Sequence, residues 1–170
     1  MNLNLETERL ILRPFSEDDA SLLFELNNDE DVTRYTGQGA YKNIEEALEF
    51  VKGYKQYENY SMGRLNVFIK DTREYIGWSG LQYLKAINEV DIGYRLIKKY
   101  WGKGYATEAS KACLDYGFNT LKLDKIIRTA MKANIASINV FNKLGLKYSH
   151  DDDCGQQPGV VYTITKEEWK

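Results

Sequence analysis

The chain has 170 residues, enough for one domain with a sizeable core, and its 43% hydrophobic and 28% charged residues are ordinary for a globular protein. A net charge of −2 leaves no global basic field for nucleic acid or a membrane surface, and no run of about 18 apolar residues could span a bilayer. Two distant cysteines, Cys113 and Cys154, make neither a disulfide framework nor a zinc site, and MNLNLETERLILRPF lacks the basic and apolar regions of a signal peptide, so a reduced, soluble, cytoplasmic protein is expected.

Leu5 to Phe15 predicts a strand ended near Pro14. Ser16 with Asp19 forms a capping-box variant ahead of a helix carrying Leu22, Leu23 and Leu26. Residues 29–43 hold two glycines without a period and are expected to be a loop; Asn43 then caps a helix from Ile44 to about Glu58. LNVFIK, EYIGWSGLQY and EVDIGYRLI predict three strands in an antiparallel meander. A glycine loop, a helix from about Tyr105 to Leu121, a strand at Lys125–Met131 and a helix from Ile135 to about Leu144 follow. Gly145 suits the C′ position of that last helix, and Val160–Ile164 a final strand. No repeat, linker or low-complexity segment divides the chain, so residues 1–170 read as one α+β or mixed α/β domain. Its 13 tyrosines favour a cleft with aromatic walls.

Chemistry concentrates in YWGKGYATEA, residues 100–109. A Walker A loop needs GxxxxGK[ST] and a dinucleotide fingerprint GxGxxG; Gly102-Lys103-Gly104 satisfies neither. The physical logic of an anion site is nevertheless present. Glycines bring backbone N–H groups close, a helix N-terminus supplies unmatched donors and partial positive charge, and Lys103 adds a full charge. A tight structural turn accounts for this local pattern equally well. Further on, NIASINVFNKLGL reads as a helix with Asn134 as cap, Ser137 at its third position and Gly145 past its end. His150 before Asp151, Asp152 and Asp153 reads as a solvated loop, and no metal is expected there. No GxSxG elbow is present.

The order strand, WGKGYATEA, helix, strand, NxxSxxVxxKxG resembles the acetyl-CoA-binding core of the GNAT N-acetyltransferase superfamily. LETERLILRPFSEDDA and DIGYRL resemble its RimJ/RimL branch of ribosomal-protein-alanine type, and the likeness runs from Leu5 to about Leu146. It implies a GNAT fold: a central, mostly antiparallel sheet flanked by helices and splayed between its fourth and fifth strands, Glu89–Ile97 and Lys125–Met131. The implied cosubstrate is acetyl-CoA, without a metal. Its pyrophosphate is expected on the backbone amides from Gly102 through Lys103, Gly104, Tyr105 and Ala106 to Thr107, with Trp101 where the family pattern has Arg or Gln. The pantetheine arm is expected along Tyr94, Arg95 and Leu96 as an added strand, with Asn134 and Asn139 also in contact.

Ser137 matches a position that can protonate the departing thiolate in the RimL-like branch; the tyrosine many relatives use instead is Phe141 here, so Ser137 or a tyrosine from elsewhere takes that role. Asp91, with Glu89 on the same side of the strand, is the candidate general base, against the alternative of a solvated edge pair. Glu108 reads as a helix first-turn carboxylate. Having the neutral amine at pH 7 costs about 1 kcal/mol for an α-amine and roughly 4–5 kcal/mol for a lysine, so only the latter needs a committed base. Loop 29–43, with Asp29, Glu30, Asp31, Arg34 and Tyr35, is the expected acceptor wall, acidic enough to suit a cationic amine. The implied activity is direct acetyl transfer in a ternary complex to a primary amine, either a peptide N-terminus or a small amine. The alternative is a non-catalytic coenzyme A-binding module. The resemblance allows a homodimer.

Overall fold

The computed structural model describes residues 3–37 and 39–170. The N-terminal stretch is a hairpin rather than one strand: β1 (Leu5–Glu6) pairs antiparallel with β2 (Leu10–Pro14), turned by a Thr7 N–H that donates to Leu10 O at 3.0 Å. The capping box forms as expected. Ser16 N–H and Oγ both donate to Asp19 Oδ2, at 2.8 and 2.9 Å, and a short 3-10 turn leads into α1 (Ala20–Asn27). Asp19 also receives Arg13 through two parallel bonds of 2.7 Å, fixing the end of β2 to the start of α1.

The stretch expected to be a loop contains a one-turn helix, α2 (Glu30–Thr33), because Asp29 accepts from the Asp31 N–H at 2.9 Å and caps it. Asn43 caps α3 (Ile44–Gly53) as predicted, but the helix stops at Gly53: Tyr54 has extended backbone with ψ 97°, and α4 (Gln56–Tyr60) starts afresh. The meander comprises β3 (Arg64–Ile69), β4 (Tyr75–Leu84) and β5 (Glu89–Leu96). After the glycine loop come α5 (Tyr105–Asp115), prolonged by a π-helical turn over Tyr116–Thr120, then β6 (Lys125–Met131) and α6 (Ile135–Lys143), with Gly145 at φ 84° just beyond it. The chain closes with a hairpin of β7 (Lys147–Cys154) and β8 (Gln157–Thr165). The acidic run from His150 to Asp153 is therefore an outer strand and not a loop; its exposed charges suit an edge that must not recruit another chain.

Among the described residues the strands form one eight-stranded sheet in the order β1-β2-β3-β4-β5-β6-β8-β7. Every neighbouring pair is antiparallel except β5 and β6, joined in parallel by the α5 crossover and in register at Asp91↔Ile127. One sheet face carries Leu10, Leu12, Leu65, Ile76 and Ile92, all buried in one core cluster that includes Leu114 and Phe118. The other face, beneath the α1–α4 layer, is polar: Arg64, Asn66, Asp91 and Arg95 are all buried there. Gly93 belongs to this second face by necessity, since a Cβ on it would lie 2.8 Å from the Arg64 guanidinium. No helix among the described residues is long and apolar enough to cross a membrane.

Asp19 gives the fold an acid-sensitive joint. Burial works against its charged form, but the Arg13 and Ser16 bonds prevail and hold its carboxyl below the usual range. A lowered folded pKa contributes stability above the unfolded value of about 3.9, and that stability disappears as pH falls through the folded value. Asp19→Asn should therefore lose about 2 kcal/mol at neutral pH, on the scale of a helix cap plus a partly exposed ion pair. In thermal melts the gap from wild type should close on acidification below about pH 3.

Candidate active site

β5 and β6 diverge beyond Asp91, and that divergence opens a continuous cleft of about 1350 Å³, ample for two substrates side by side. Ile97 N–H donates to Ile76 O across β4, so by strand alternation the main-chain groups of Tyr94 and Leu96 point the other way, into the splay. Leu96 O is taken by Trp101 Nε1–H at 2.8 Å, which ties the glycine loop to the end of β5. The main chain around Tyr94 is thus the part of β5 open to an added strand. The Arg95 side chain projects to the polar face and lines the cleft there, while the Leu96 side chain joins the apolar core.

The glycine loop needs its glycines for conformation. Gly102 at φ 72° and Gly104 at φ 81° both lie in the left-handed region. Gly104 stands at the N-cap of α5 with no side chain to cap it, and the Glu108 N–H to Gly104 O bond opens the intrahelical series. The N–H groups of Tyr105, Ala106 and Thr107 are therefore the unmatched donors of a helix first turn, and these residues line the cleft. Lys103 places its ammonium 5.6 Å from the Tyr100 ring centre.

A clamp unforeseen from the sequence holds this loop. Arg9 donates from Nη1 to Lys103 O at 3.0 Å and from Nε to Glu108 Oε2 at 2.6 Å, with its guanidinium 4.4 Å from the Tyr105 ring centre. Glu108 Oε1 also accepts from Thr7 Oγ1 and the Arg9 N–H. Burial opposes the Glu108 charge, but these bonds lower its pKa on balance. Glu108 is accordingly an anchor joining the N-terminal hairpin to α5. The signal was the TER of LETERL, whose Thr7 and Arg9 both reach Glu108.

Across the splay, Asn134 caps α6 by accepting the Ser137 N–H at 3.2 Å, and Asn139 lines the cleft one turn on. Ser137 Oγ of α6 lies 3.1 Å from Tyr94 Oη of β5, so a helix hydroxyl and a strand hydroxyl meet at the mouth of the fork. Burial foremost raises the Tyr94 pKa, against the Ser137 bond, and the phenol stays protonated at neutral pH. Phe141 is buried with its ring centre 5.6 Å from that of Tyr162, and it offers no proton.

On the polar face Asp91 departs from a solvated edge carboxylate. Its Oδ2 receives Arg64 Nη2 at 2.5 Å, and Arg128 Nη1 approaches both carboxylate oxygens at 3.4 and 3.3 Å. Glu89 does not share this environment; it pairs with Lys125 at 2.5 Å on the rim. Two carboxylates of the expected acidic acceptor wall are likewise engaged. Asp29 is occupied as a cap, and Asp31 is bonded to Arg34 at 2.6 Å and to Lys98. Tyr35 and Tyr41 do line the cleft, together with Phe50 of α3 and Tyr54 just beyond its end.

A sheet forked around an anion-accepting helix N-terminus is the architecture of an acyl-CoA N-acyltransferase. Residues 9–147 match the Acetyltransferase (GNAT) domain, and the chain belongs to this family. It is 36% identical to the protein YkkB of Bacillus subtilis strain 168, over 93% of each chain. It is 30% identical to the spermidine N(1)-acetyltransferase of Escherichia coli K12, over 79% of this chain and 70% of the other. Among solved structures, a GNAT acetyltransferase from Bacillus anthracis superposes with a TM-score of 0.83 at 28% identity, covering 98% of this chain and 100% of that one. The protein is an acetyl-CoA-dependent N-acetyltransferase.

The Arg9 clamp is testable in this light. Arg9→Ala should weaken CoA binding about tenfold by calorimetry, as a charge-assisted tether on the loop is lost. Circular dichroism should show the sheet intact.

Proposed function

We propose that residues 1–170 form a single catalytic domain of the RimJ/RimL-like branch, cytoplasmic, which moves the acetyl group of acetyl-CoA to a primary amine, a peptide N-terminus or a small amine, by direct transfer in a ternary complex. The observation that carries this reading is the fork itself, with the first-turn amides of α5 at its rim and the Tyr94–Ser137 hydroxyl pair at its mouth. In this reading the amides from Gly102 to Thr107 hold the pyrophosphate, and the pantetheine arm pairs with the main chain at Tyr94. Asn134 and Asn139 flank it. Trp101, fastened to Leu96 O, takes the place of the family's Arg or Gln by bracing the loop. The two cysteines are unpaired, as in a reducing compartment.

The neutral amine attacks the thioester carbon, the C–N bond forms, and the C–S bond then breaks with its electron pair leaving on sulfur. The amine nitrogen releases one proton and the sulfur takes up one, so the balance is neutral. A thiolate is a weaker base than a tyrosinate by more than about one pK unit, so Tyr94 and Ser137 act first as hydrogen-bond donors to the developing sulfur charge. Proton transfer to sulfur completes as the amine proton leaves. Asp91, the candidate base, already accepts from two guanidinium groups, which suits a positioning role: it holds Arg64 and Arg128 at the base of the fork. The amine proton then departs through solvent, adequate for a peptide α-amine whose neutral form costs only about 1 kcal/mol at pH 7.

Thiol release from acetyl-CoA over a panel of amines tests the activity. Turnover is expected; CoA binding by calorimetry with no thiol release from any amine would favour the non-catalytic module, to which Phe141 lends some support. Tyr94→Phe should lower kcat about 100-fold, within the range of a general acid, with CoA affinity little changed. Asp91→Asn separates positioning from proton abstraction. A positioning residue predicts lower kcat/KM with the acid limb of the pH–rate profile kept, whereas loss of that limb would restore Asp91 as the base.

A further inference from the structure

The floor of the acceptor side of the cleft carries three guanidinium groups, Arg64, Arg95 and Arg128, around one carboxylate, Asp91. The two other carboxylates lining the cleft are engaged at the rim: Asp31 with Arg34 and Lys98, and Glu46 with the Lys42 N–H at 2.6 Å. Arg64 and Arg95 stack on the same indole, at 5.2 and 5.3 Å from the Trp78 ring, and Arg95 donates to Asn27 Oδ1. Like charges so close disfavour one another. Burial first, together with the Arg128 and Arg64 charges, brings the Arg95 pKa down to about 10.

Arg128 keeps a buried Nε–H without a hydrogen-bond partner in the cleft wall. Beside this floor the rings of Tyr41, Phe50 and Tyr54 form a continuous wall, with centres 6.1 and 5.5 Å apart. A cationic floor repels a polyamine and attracts an anion, and planar guanidinium groups are suited to a carboxylate.

We propose that the acceptor is a small primary amine that also bears a carboxylate, an amino acid or close analogue, with the carboxylate held by Arg95 and Arg128 and the side chain laid against the aromatic wall. This rests on the acetyl-transfer reading above. It runs against the polycationic acceptor that the name of the Escherichia coli relative specifies for that protein. The guanidinium groups also favour the neutral form of the amine beside them, which fits a site whose one buried carboxylate is engaged.

The test is thiol release with matched pairs: phenylalanine against phenethylamine, leucine against isopentylamine, with spermidine and a short peptide of acidic N-terminus as further arms. The expected result is a kcat/KM at least about tenfold higher for the amino acid of each pair, with spermidine poorest, as for loss of a charged hydrogen bond in a buried site. Arg95→Gln should shrink that ratio to within about threefold, and Arg95→Lys, which keeps the charge, should retain part of it. CoA affinity by calorimetry reports that each variant is folded. Preference for the decarboxylated amines, for spermidine or for the peptide would overturn the inference while leaving acetyl transfer standing. Silence with every amine would overturn both.

Discussion

Everything at the site depends on the point where β5 and β6 stop pairing. A parallel pair linked through a helix could continue its ladder, but here the described register consists of Asp91 opposite Ile127, and the strands then part. What lies at that point is an ionic knot: Asp91 takes Arg64 from β3 and Arg128 from β6, tying the two halves of the sheet where hydrogen bonding between them gives out. Such a network holds together only as a unit, so it fixes a geometry more than it adds net stability. Gly93 completes the arrangement because any larger residue would displace the Arg64 guanidinium.

The second constraint is the attachment of the N-terminal hairpin to the start of α5. Helix first-turn donors are useful to a ligand only if the turn is held still, and the glycines that give the loop its shape also loosen it. Arg9 and Glu108 offset that freedom, one gripping Lys103 O and the Tyr105 ring, the other receiving Thr7 and Arg9. Residues nearly a hundred positions apart thereby set the aim of the amides from Tyr105 to Thr107.

Much of this was legible in the sequence because it is written locally. The Ser16–Asp19 box, the Asn43 and Asn134 caps, the turn at Gly145 and the three strands of the meander each follow from chemistry within a few residues. Their order carried the family resemblance. What escaped was decided by distant partners. Whether Asp91 is solvated or ion-paired depends on Arg64 and Arg128, which no spacing connects to it; whether Asp31 lends the cleft a negative charge depends on Lys98. The helix break at Tyr54 follows the same logic, since its hydroxyl is recruited by the Arg64 N–H at 2.8 Å, and β7 exists because β8 runs beside it, its own residues being nearly all exposed.

These distant pairings also change what the site asks of its substrate. An acidic wall with a free carboxylate base would describe an enzyme that captures a cation and strips its proton. The folded protein has neither: the carboxylates lining the cleft are engaged, and the buried charges beneath the acceptor side are predominantly positive. A cationic floor makes protonation of a neighbouring amine less favourable, so one set of arginines can both hold an anionic handle and keep the nucleophile neutral. On the proposed mechanism the lack of a proton donor at Phe141 fits the same economy of parts. In that mechanism the Tyr94–Ser137 pair would meet the sulfur from the strand and the helix that bound the fork, so that the geometry opening the sheet would also supply the hydroxyls that stabilise the leaving group.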